Sequence, residues 1–257
     1  MNDKYLLILN ALIKEFIRVK DPIGSEQLKQ VLDTDISSAT IRYYFKKMSE
    51  EGQIEQLHRS GGRIPATDTL YRYWCDFFGS VDQKLVVDIS KLERYSEIFD
   101  MFVSIKPVCS NLLVEVKNIE DRYLLVVFEQ EEIAVRYNRL LEKFLNDFLG
   151  NEIEKIAQVI EQIGLEPFAT KIKSAISLNI RTFHKAKLLT LEGLGDFASF
   201  YDGSVINKSS RMQLESDRIS VKLDVVDIGG TEYEMFVFGE LTNDYKNFIR
   251  SISGKRK

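Results

Sequence analysis

Residues 37–65 read SSATIRYYFKKMSEEGQIEQLHRSGGRIP, and this stretch decides the fold of the N-terminal part of the chain. Hydroxyl residues open it, apolar residues then recur at helical spacing, and Gly52 ends the helical part. Two β-like segments follow and flank a Ser-Gly-Gly tip that has an arginine on each side. The pattern predicts a helix followed by a basic hairpin, which is the arrangement of a winged helix-turn-helix.

The predicted helix has two distinct faces. Ile41, Phe45 and Met48 share one side of the helical wheel and are expected to point into a core. The opposite side carries one small residue, two cations and one aromatic residue: Ala39, Arg42, Tyr43 and Lys46. Taken alone, such a helix is more typical of a solvated protein surface than of DNA binding, so the neighbouring segments have to decide between the two interpretations.

The preceding segments supply the rest of a helix-turn-helix. Apolar residues recur at threes and fours over residues 4–19, which predicts a long first helix. Pro22 breaks this helix, because proline disfavours the helical conformation of the residue before it. A short second helix is predicted over residues 26–32, with Ser25 able to cap it. The order of helices and hairpin therefore favours DNA binding over a plain surface helix.

The distribution of charge agrees with a local docking face. The chain of 257 residues has a formal net charge of −4, which argues against indiscriminate binding to polyanions. Residues 1–79 contain eleven Lys or Arg and eleven Asp or Glu, whereas residues 37–65 contain five basic residues and three acidic ones. The positive charge is therefore concentrated on the predicted helix and hairpin, as a nucleic-acid contact requires.

Other classes of function find little support in the sequence. Two cysteines and two histidines are too few for a disulfide framework or a Cys/His zinc site. No nucleophile elbow, phosphate-binding loop or HExxH motif is present, so we predict that the chain is not an enzyme and needs no cofactor. No signal peptide and no long apolar run are found, and we expect a cytoplasmic protein.

Beyond residue 79 the pattern predicts an α+β domain that carries a helical insertion. A helix is expected over 85–103, and strands of one sheet over 111–117, 122–128 and 132–137. Helical spacing then runs from 140 to 184. Further strands are expected over 187–191, 217–226 and 232–238, and a closing helix over 241–252. Strands on both sides of a helical excursion indicate one sheet with an inserted segment.

Several short motifs along the N-terminal part form a recognisable set: Pro22-Ile23-Gly24-Ser25, Ser37-Ser38-Ala39-Thr40-Ile41-Arg42, Gly52, His58, Ser60, Gly62-Arg63-Ile64-Pro65 and Tyr71-Arg72-Tyr73. Together they resemble the motifs of the bacterial heat-inducible transcription repressor family HrcA. The match covers about the first 78 residues and is weaker beyond them, where Gly239, Thr242 and Tyr245 keep their places in a family motif near the C-terminus. Tyr43-Tyr44 replaces the family's Asn-Asp, and Arg59 and Gly61 replace Thr and Ala; these departures fall on the predicted contact surface.

The resemblance implies both an architecture and a function. It implies a winged helix-turn-helix over 1–79, a discontinuous GAF-like α+β domain over 80–143 and 206–257, and a mainly helical dimerising insertion over 144–205. It also implies a homodimer that represses the heat-shock chaperone operons of the GroE and DnaK type. The operator would be the inverted repeat CIRCE, double-stranded DNA, and the chaperonin GroEL would keep the repressor active until heat stress.

The residues expected to contact DNA come from the third helix and the wing: Ser38, Thr40, Arg42, Tyr43, Lys46, Lys47, His58, Arg59, Ser60 and Arg63. Arg42, Tyr43 and Lys46 would face base edges or nearby phosphates, while the wing residues would grip the backbone. Two alternatives stay open: a winged-helix regulator whose GAF-like domain senses a small metabolite, and a protein-interaction adaptor that no longer binds DNA. A packed wing histidine is as compatible with the sequence as a DNA contact for His58.

Overall fold

The computed structural model describes residues 3–57, 61–81, 84–189, 200–201, 203, 205–206 and 210–254. Across these ranges, helices and strands are mixed, which confirms the predicted α+β class. None of the described helices combines the length and the apolar character needed to cross a membrane.

The N-terminal unit has the predicted order of helices and hairpin. Its elements are α1 (Asp3–Val19), α2 (Ser25–Val31), α3 (Ser38–Glu50), β1 (Ile54–Glu55), β2 (Ile64–Pro65) and α4 (Thr67–Ser80). The periodic apolar face of α1 is buried, with Ile8 and Leu12 fully inaccessible to solvent. Burial of a side chain of this size contributes about 1.5–3 kcal/mol, so α1 is held mainly by packing rather than by helix propensity.

The wing is anchored at its base by the turn before α2. Ile54 pairs with Pro65 and Glu55 with Ile64 in an antiparallel ladder. Arg63 and Ile23 exchange two backbone hydrogen bonds of 2.9 Å each, which adds residue 23 to the edge of the hairpin. A Cβ atom on Gly62 would lie 2.6 Å from the backbone of residues 22 and 23, so this close approach requires glycine.

The elements that follow form two separate sheets. In chain order they are β3 (Leu85–Val87), a 3-10 helix (Ile89–Lys91), α5 (Leu92–Ile98), β4 (Phe102–Pro107), β5 (Leu113–Ile119), β6 (Tyr123–Phe128), β7 (Glu132–Arg136), α6 (Arg139–Asp147), α7 (Ile153–Gln162), α8 (Glu166–Leu178), β8 (Arg181–Phe183), α9 (Ala186–Leu189), β9 (Met212–Glu215), β10 (Arg218–Asp227), β11 (Glu232–Glu240) and α10 (Tyr245–Ile252).

The main sheet combines strands from both ends of this region. Its order is β3-β10-β11-β4-β8, with β9 paired to β10, and within the described residues β3 is the strand that runs parallel to its neighbour. The helices α5 and α10 pack on it through Leu92, Phe248 and Ile252, all fully buried. The predicted strands over 217–226 and 232–238 correspond to β10 and β11.

The strands β5, β6 and β7 form a second sheet, contrary to the prediction that they extend the main one. Leu124 and Val126 of this sheet share a hydrophobic core with Leu145 of α6, Ile156 of α7 and Ile172 of α8. The inserted unit therefore begins near residue 108 and contains strands as well as helices. Alternation marked the strands correctly, but it carries no information about which sheet a strand joins.

Three further elements differ from the prediction. The helical pattern expected over 140–184 ends before its last residues, which form the strand β8 beside β4. The helix expected over 85–103 is broken into β3, the 3-10 helix, α5 and the start of β4. Val87 is fully buried beside β10, and Asp88 then accepts a hydrogen bond from Ser90 N–H, which starts the helical part later than predicted. The segment expected as a strand over 187–191 begins in the short helix α9, and its last residues lie outside the described ranges.

The N-terminal unit and the main sheet share one hydrophobic core. That cluster includes Leu12 of α1, Phe45 of α3, Trp74 of α4, Val221 of β10 and Phe248 of α10. The core of the inserted unit is a separate cluster. The N-terminal unit is therefore packed directly on the main sheet.

Candidate nucleic-acid interface

The exposed face of α3 carries three of the residues predicted to contact DNA. The side chains of Arg42 and Lys46 are 60% and 80% exposed, and Tyr43 is 65% exposed. The opposite side of the helix is buried in the core through Ile41, Tyr44, Phe45 and Met48. The structure thus confirms the predicted division of α3 into a packed face and a free face that is exposed to solvent.

Hydroxyl groups surround the N-terminus of α3. The Ser37 hydroxyl accepts a hydrogen bond from the Thr40 backbone N–H at 3.1 Å, and the two side-chain oxygens lie 2.9 Å apart. This cap fixes where α3 begins. Ser38 and Thr40 are half-buried in the first turn, at the end of the helix that favours an anion. Their contact with a phosphate stays a prediction.

Arg42 is held from the neighbouring helix. Its guanidinium Nη1 lies 3.4 Å from the Ser25 hydroxyl, to which it donates, and 3.8 Å from a carboxylate oxygen of Glu26. An exposed ion pair of this length contributes little to stability, so the contact orients the side chain rather than holding the fold together. Ser25 was predicted to cap α2, but it is the first residue of that helix, and Gly24 occupies the cap position without a side-chain bond.

The two tyrosines of α3 occupy different environments. Tyr43 points to solvent, whereas Tyr44 is 7% exposed and packs edge-on against Tyr5 of α1, with ring centroids 6.2 Å apart. Both had been assigned to the contact surface because both depart from the family pattern. Tyr44 is instead a core residue, since it follows Tyr43 by 100° around the helix and thereby joins Ile41 and Phe45.

Lys46 and Lys47 also differ in their surroundings. Lys46 lies on the free face beside Glu50, 3.9 Å away. Lys47 turns toward α1, where its ammonium lies 5.5 Å from the centre of the Tyr5 ring and 3.9 Å from Glu51. The Tyr5 hydroxyl donates to the same Glu51 carboxylate at 2.5 Å, and burial together with this bond raises the pKa of Tyr5 to about 12. Lys47 is thus less well placed than Lys46 for a groove contact.

Arg63 lies where the wing meets α3. Its side chain is half-buried, and its Nη1 donates to the Gly61 carbonyl at 3.3 Å. Its buried Nε has no hydrogen-bond partner among the residues that the structure describes. An open cleft separates α3 from the wing and is lined by Lys46, Ser49, Glu50, Ile54, Glu55, Gln56 and Arg63. The predicted contacts His58, Arg59 and Ser60 lie outside the described residues.

Ser25 and Glu26 are functional candidates that the sequence analysis missed. They belong to α2, and their importance follows from their contacts with Arg42. The sequence signal was slight: a hydroxyl and an acid at the start of a short helix are ordinary features of a helix N-terminus. Only the packing angle between α2 and α3 brings them to the Arg42 side chain.

The boundary between the main sheet and the inserted unit has a cavity of about 20 Å³, lined in part by Lys106, Asn111 and Ile153. This volume suits about one water molecule rather than a metabolite. The small-ligand alternative therefore gains no support from this place in the structure.

Comparisons with known proteins identify the family. Residues 74–256 match a family model described as the HrcA C-terminal domain. The heat-inducible transcription repressor HrcA of Helicobacter pylori (strain ATCC 700392 / 26695) is 28% identical over 250 residues, covering 96% of this chain and 93% of the relative. HrcA of Clostridium acetobutylicum is 29% identical over 189 residues, covering 68% of this chain and 54% of the relative.

A solved structure shares the fold. The crystal structure of a hypothetical protein at 2.2 Å resolution superposes with a TM-score of 0.52 at 19% identity and covers 98% of this chain and 94% of that one. The family model takes in well over half of the chain, and the Helicobacter relative extends the similarity over most of the N-terminal unit. The chain therefore belongs to the HrcA family of heat-inducible transcription repressors.

Proposed function

We propose that the protein represses heat-shock chaperone operons by binding, as a homodimer in the cytoplasm, to an inverted-repeat operator of the CIRCE type. The observation that carries this proposal is the free face of α3, where Arg42, Tyr43 and Lys46 are exposed beside a wing. A helix of this kind, capped at its start and flanked by a hairpin, suits insertion into a major groove.

The contacts divide into base readout and backbone grip. Arg42 reads a base edge, because a guanidinium can donate two parallel hydrogen bonds to guanine and this one is already oriented by Ser25. Tyr43 packs against base edges or the sugar, and Lys46 contacts a nearby phosphate. Arg63 places the wing against the backbone, which contributes affinity without sequence preference.

A homodimer matches the twofold symmetry of an inverted repeat. The inserted unit supplies a suitable surface for the dimer, since the sheet β5-β6-β7 covers α6–α8 with one side only. The other side presents Ile119 and Tyr123, 44% and 52% exposed, and the half-buried Leu125 and Val127. We therefore revise the dimerising segment from 144–205 to about 108–180, with the GAF-like domain on either side of it.

The dimer surface is tested by sedimentation of Leu125→Glu, which places a charge in the middle of this side of the sheet. We expect the variant to sediment as a monomer, while Ile98→Glu, at another exposed apolar residue, stays dimeric. A dimeric Leu125→Glu would place the interface elsewhere.

The chaperonin's role is tested by adding chaperonin to an operator titration, in which we expect a larger fraction of the repressor to bind the operator.

Operator titrations at two salt concentrations test the division of contacts. We expect Arg42→Ala to cost about 1–3 kcal/mol on the cognate inverted repeat and little on a scrambled duplex. Arg63→Ala should weaken binding to both duplexes alike and lower the salt slope by about 1. Lys143→Ala, which removes an exposed cation from α6 in the inserted unit, is the control for loss of charge alone.

Equal losses on both duplexes for Arg42→Ala would contradict its role as a base reader. If the parent protein bound the inverted repeat and the scrambled duplex with the same weak affinity, DNA binding itself would not be the function. The adaptor alternative would then account better for the winged helix.

A further inference from the structure

The turn that joins β11 to α10 contacts the DNA-binding unit at two places. The indole Nε1 of Trp74, in α4, donates a buried hydrogen bond of 2.8 Å to the Leu241 carbonyl. At the end of α1, the Lys20 ammonium donates to the side-chain carbonyl of Asn243 at 3.5 Å. The end of α1 and the middle of α4, which are far apart in the sequence, are thus both fixed to one short turn.

The same turn is fixed to the main sheet on its other side. The Asn243 side-chain amide donates to the Asp100 carbonyl at 3.0 Å, and Asn243 is 1% exposed. The Asp100 carboxylate is bonded by the Lys187 ammonium and lies 3.1 Å from His184 Nε2. Lys187, whose side chain is 8% exposed, also lies 3.4 Å from Glu240. Asn243 therefore connects the DNA-binding unit to an anchored point of the sheet.

The space around Asn243 is closely filled. A Cβ atom on Gly239 would lie 2.8 Å from the Asn243 amide nitrogen and 2.9 Å from the Tyr245 hydroxyl. Tyr245 is fully buried, and its ring lies 5.1 Å from that of Trp74 and 5.7 Å from that of Phe78. Gly239 and Tyr245, which the chain shares with the family motif near the C-terminus, therefore hold the turn against α4.

We propose that Asn243, together with Lys20, is a positioning residue for operator binding: it fixes the orientation of the winged helix on the main sheet and thereby the half-site spacing that the dimer accepts. The inference rests on the proposed dimer on an inverted repeat. Two recognition helices in one dimer can engage both half-sites at once when their separation matches the repeat. A stiff joint restricts binding to one spacing, whereas a loose joint tolerates several.

The test is a set of titrations with Asn243→Ala and Lys20→Ala. Each is measured on a single half-site, on the native inverted repeat, and on repeats with one or two base pairs added to or removed from the spacer. We expect half-site affinity within about twofold of the parent, because the free face of α3 is untouched. For Asn243→Ala, which removes the hydrogen bond from the buried Asn243 side chain to the Asp100 carbonyl, the preference for the native spacer should fall by about tenfold. For Lys20→Ala, which removes only the longer, part-buried contact of 3.5 Å, the preference should fall by a smaller factor.

Glu232→Gln is the matched control, because it breaks the exposed ion pair with Lys84 at 2.5 Å on the main sheet and leaves the turn intact. It should keep the spacer preference of the parent. Lys20 is exposed, so Lys20→Ala provides a folded variant even if Asn243→Ala does not fold. Emission from Trp74, the one tryptophan of the chain, checks that each variant keeps its buried core.

An unchanged spacer preference in the folded variants would overturn the inference. Equal losses of affinity for the half-site and for the full operator would also overturn it, because they indicate a structural role alone. A parent protein that binds the inverted repeat no better than a half-site would instead contradict the proposed dimeric function. The two failures are therefore distinguishable in one experiment.

Discussion

Neighbouring residues of α3 have opposite roles. Tyr43 is 65% exposed and Tyr44 is 7% exposed, although both stand where the family pattern has a polar pair. We expect Tyr44→Ala to lower the free energy of unfolding by about 3 kcal/mol, because it leaves a cavity against Tyr5. Tyr43→Ala should change it by less than about 0.5 kcal/mol and weaken operator binding instead.

Urea unfolding followed by circular dichroism measures both stabilities, and operator titration measures the binding. Comparable destabilisation by the two substitutions would contradict the assignment of faces. The sequence could predict the exposed Tyr43 from helical spacing. The same spacing groups Tyr44 with Ile41 and Phe45 on the buried face, a distinction that the resemblance to the family, in which the two positions form one polar pair, does not carry.

At the scale of elements, local signals were sufficient for α1 to α3 and for the wing. Ser37, the apolar spacing of α3 and the glycines of the hairpin all act within a few residues, so the sequence alone predicted them. The pairing of β5–β7 into their own sheet depends on contacts with α6–α8, which no local pattern encodes. The strand predicted to begin at Lys187 was wrong for the same reason, because the Lys187 side chain bonds to Asp100, a residue far away in the sequence.

The wing provides a prediction at this scale. Gly62→Ala places a methyl group 2.6 Å from the backbone of residues 22 and 23, so the hairpin must move away from the α2 turn. We expect a loss of about 1–3 kcal/mol in the free energy of unfolding and weaker binding to all DNA sequences alike. Gly24→Ala, where a Cβ meets nothing within 4 Å, is the control. Equal stability of the two variants would argue against a fixed wing.

The contacts of Asp100 add a pH dependence. Burial acts to raise the pKa of this carboxyl group, but hydrogen bonds from Lys187 and His184 outweigh it and hold the pKa below its ordinary value of 3.8. The stabilisation is therefore present above pH 3.8 and is lost as pH falls through the lower, folded-state pKa. We expect Asp100→Asn to destabilise the protein at neutral pH and to cost less in acid. Urea midpoints that differ from the parent by the same amount at both pH values would contradict this.

At the scale of the whole molecule, the shared core of the N-terminal unit and the main sheet is the principal feature. Trp74 and Phe248 lie in one cluster with α1, whereas the inserted unit has its own. Heat that loosens the main sheet must therefore also disturb the support of α3. This arrangement gives a heat-inducible repressor a physical route from thermal loosening to loss of operator binding. The sequence could not show the shared core, because its contacts join residues more than 150 positions apart.

The central claim is tested most directly by titrating the protein with a CIRCE-type inverted repeat and with a scrambled duplex, at growth temperature and after a heat step. Trp74 emission is recorded on the same samples. We expect the repeat to bind at least roughly 10³-fold more tightly before heating, and this preference to disappear as the emission shifts to the red. Equal weak affinity for both duplexes before heating would contradict the claim that the protein recognises the inverted repeat. Specific binding that persists after Trp74 becomes exposed would contradict the claim that heat acts through the shared core.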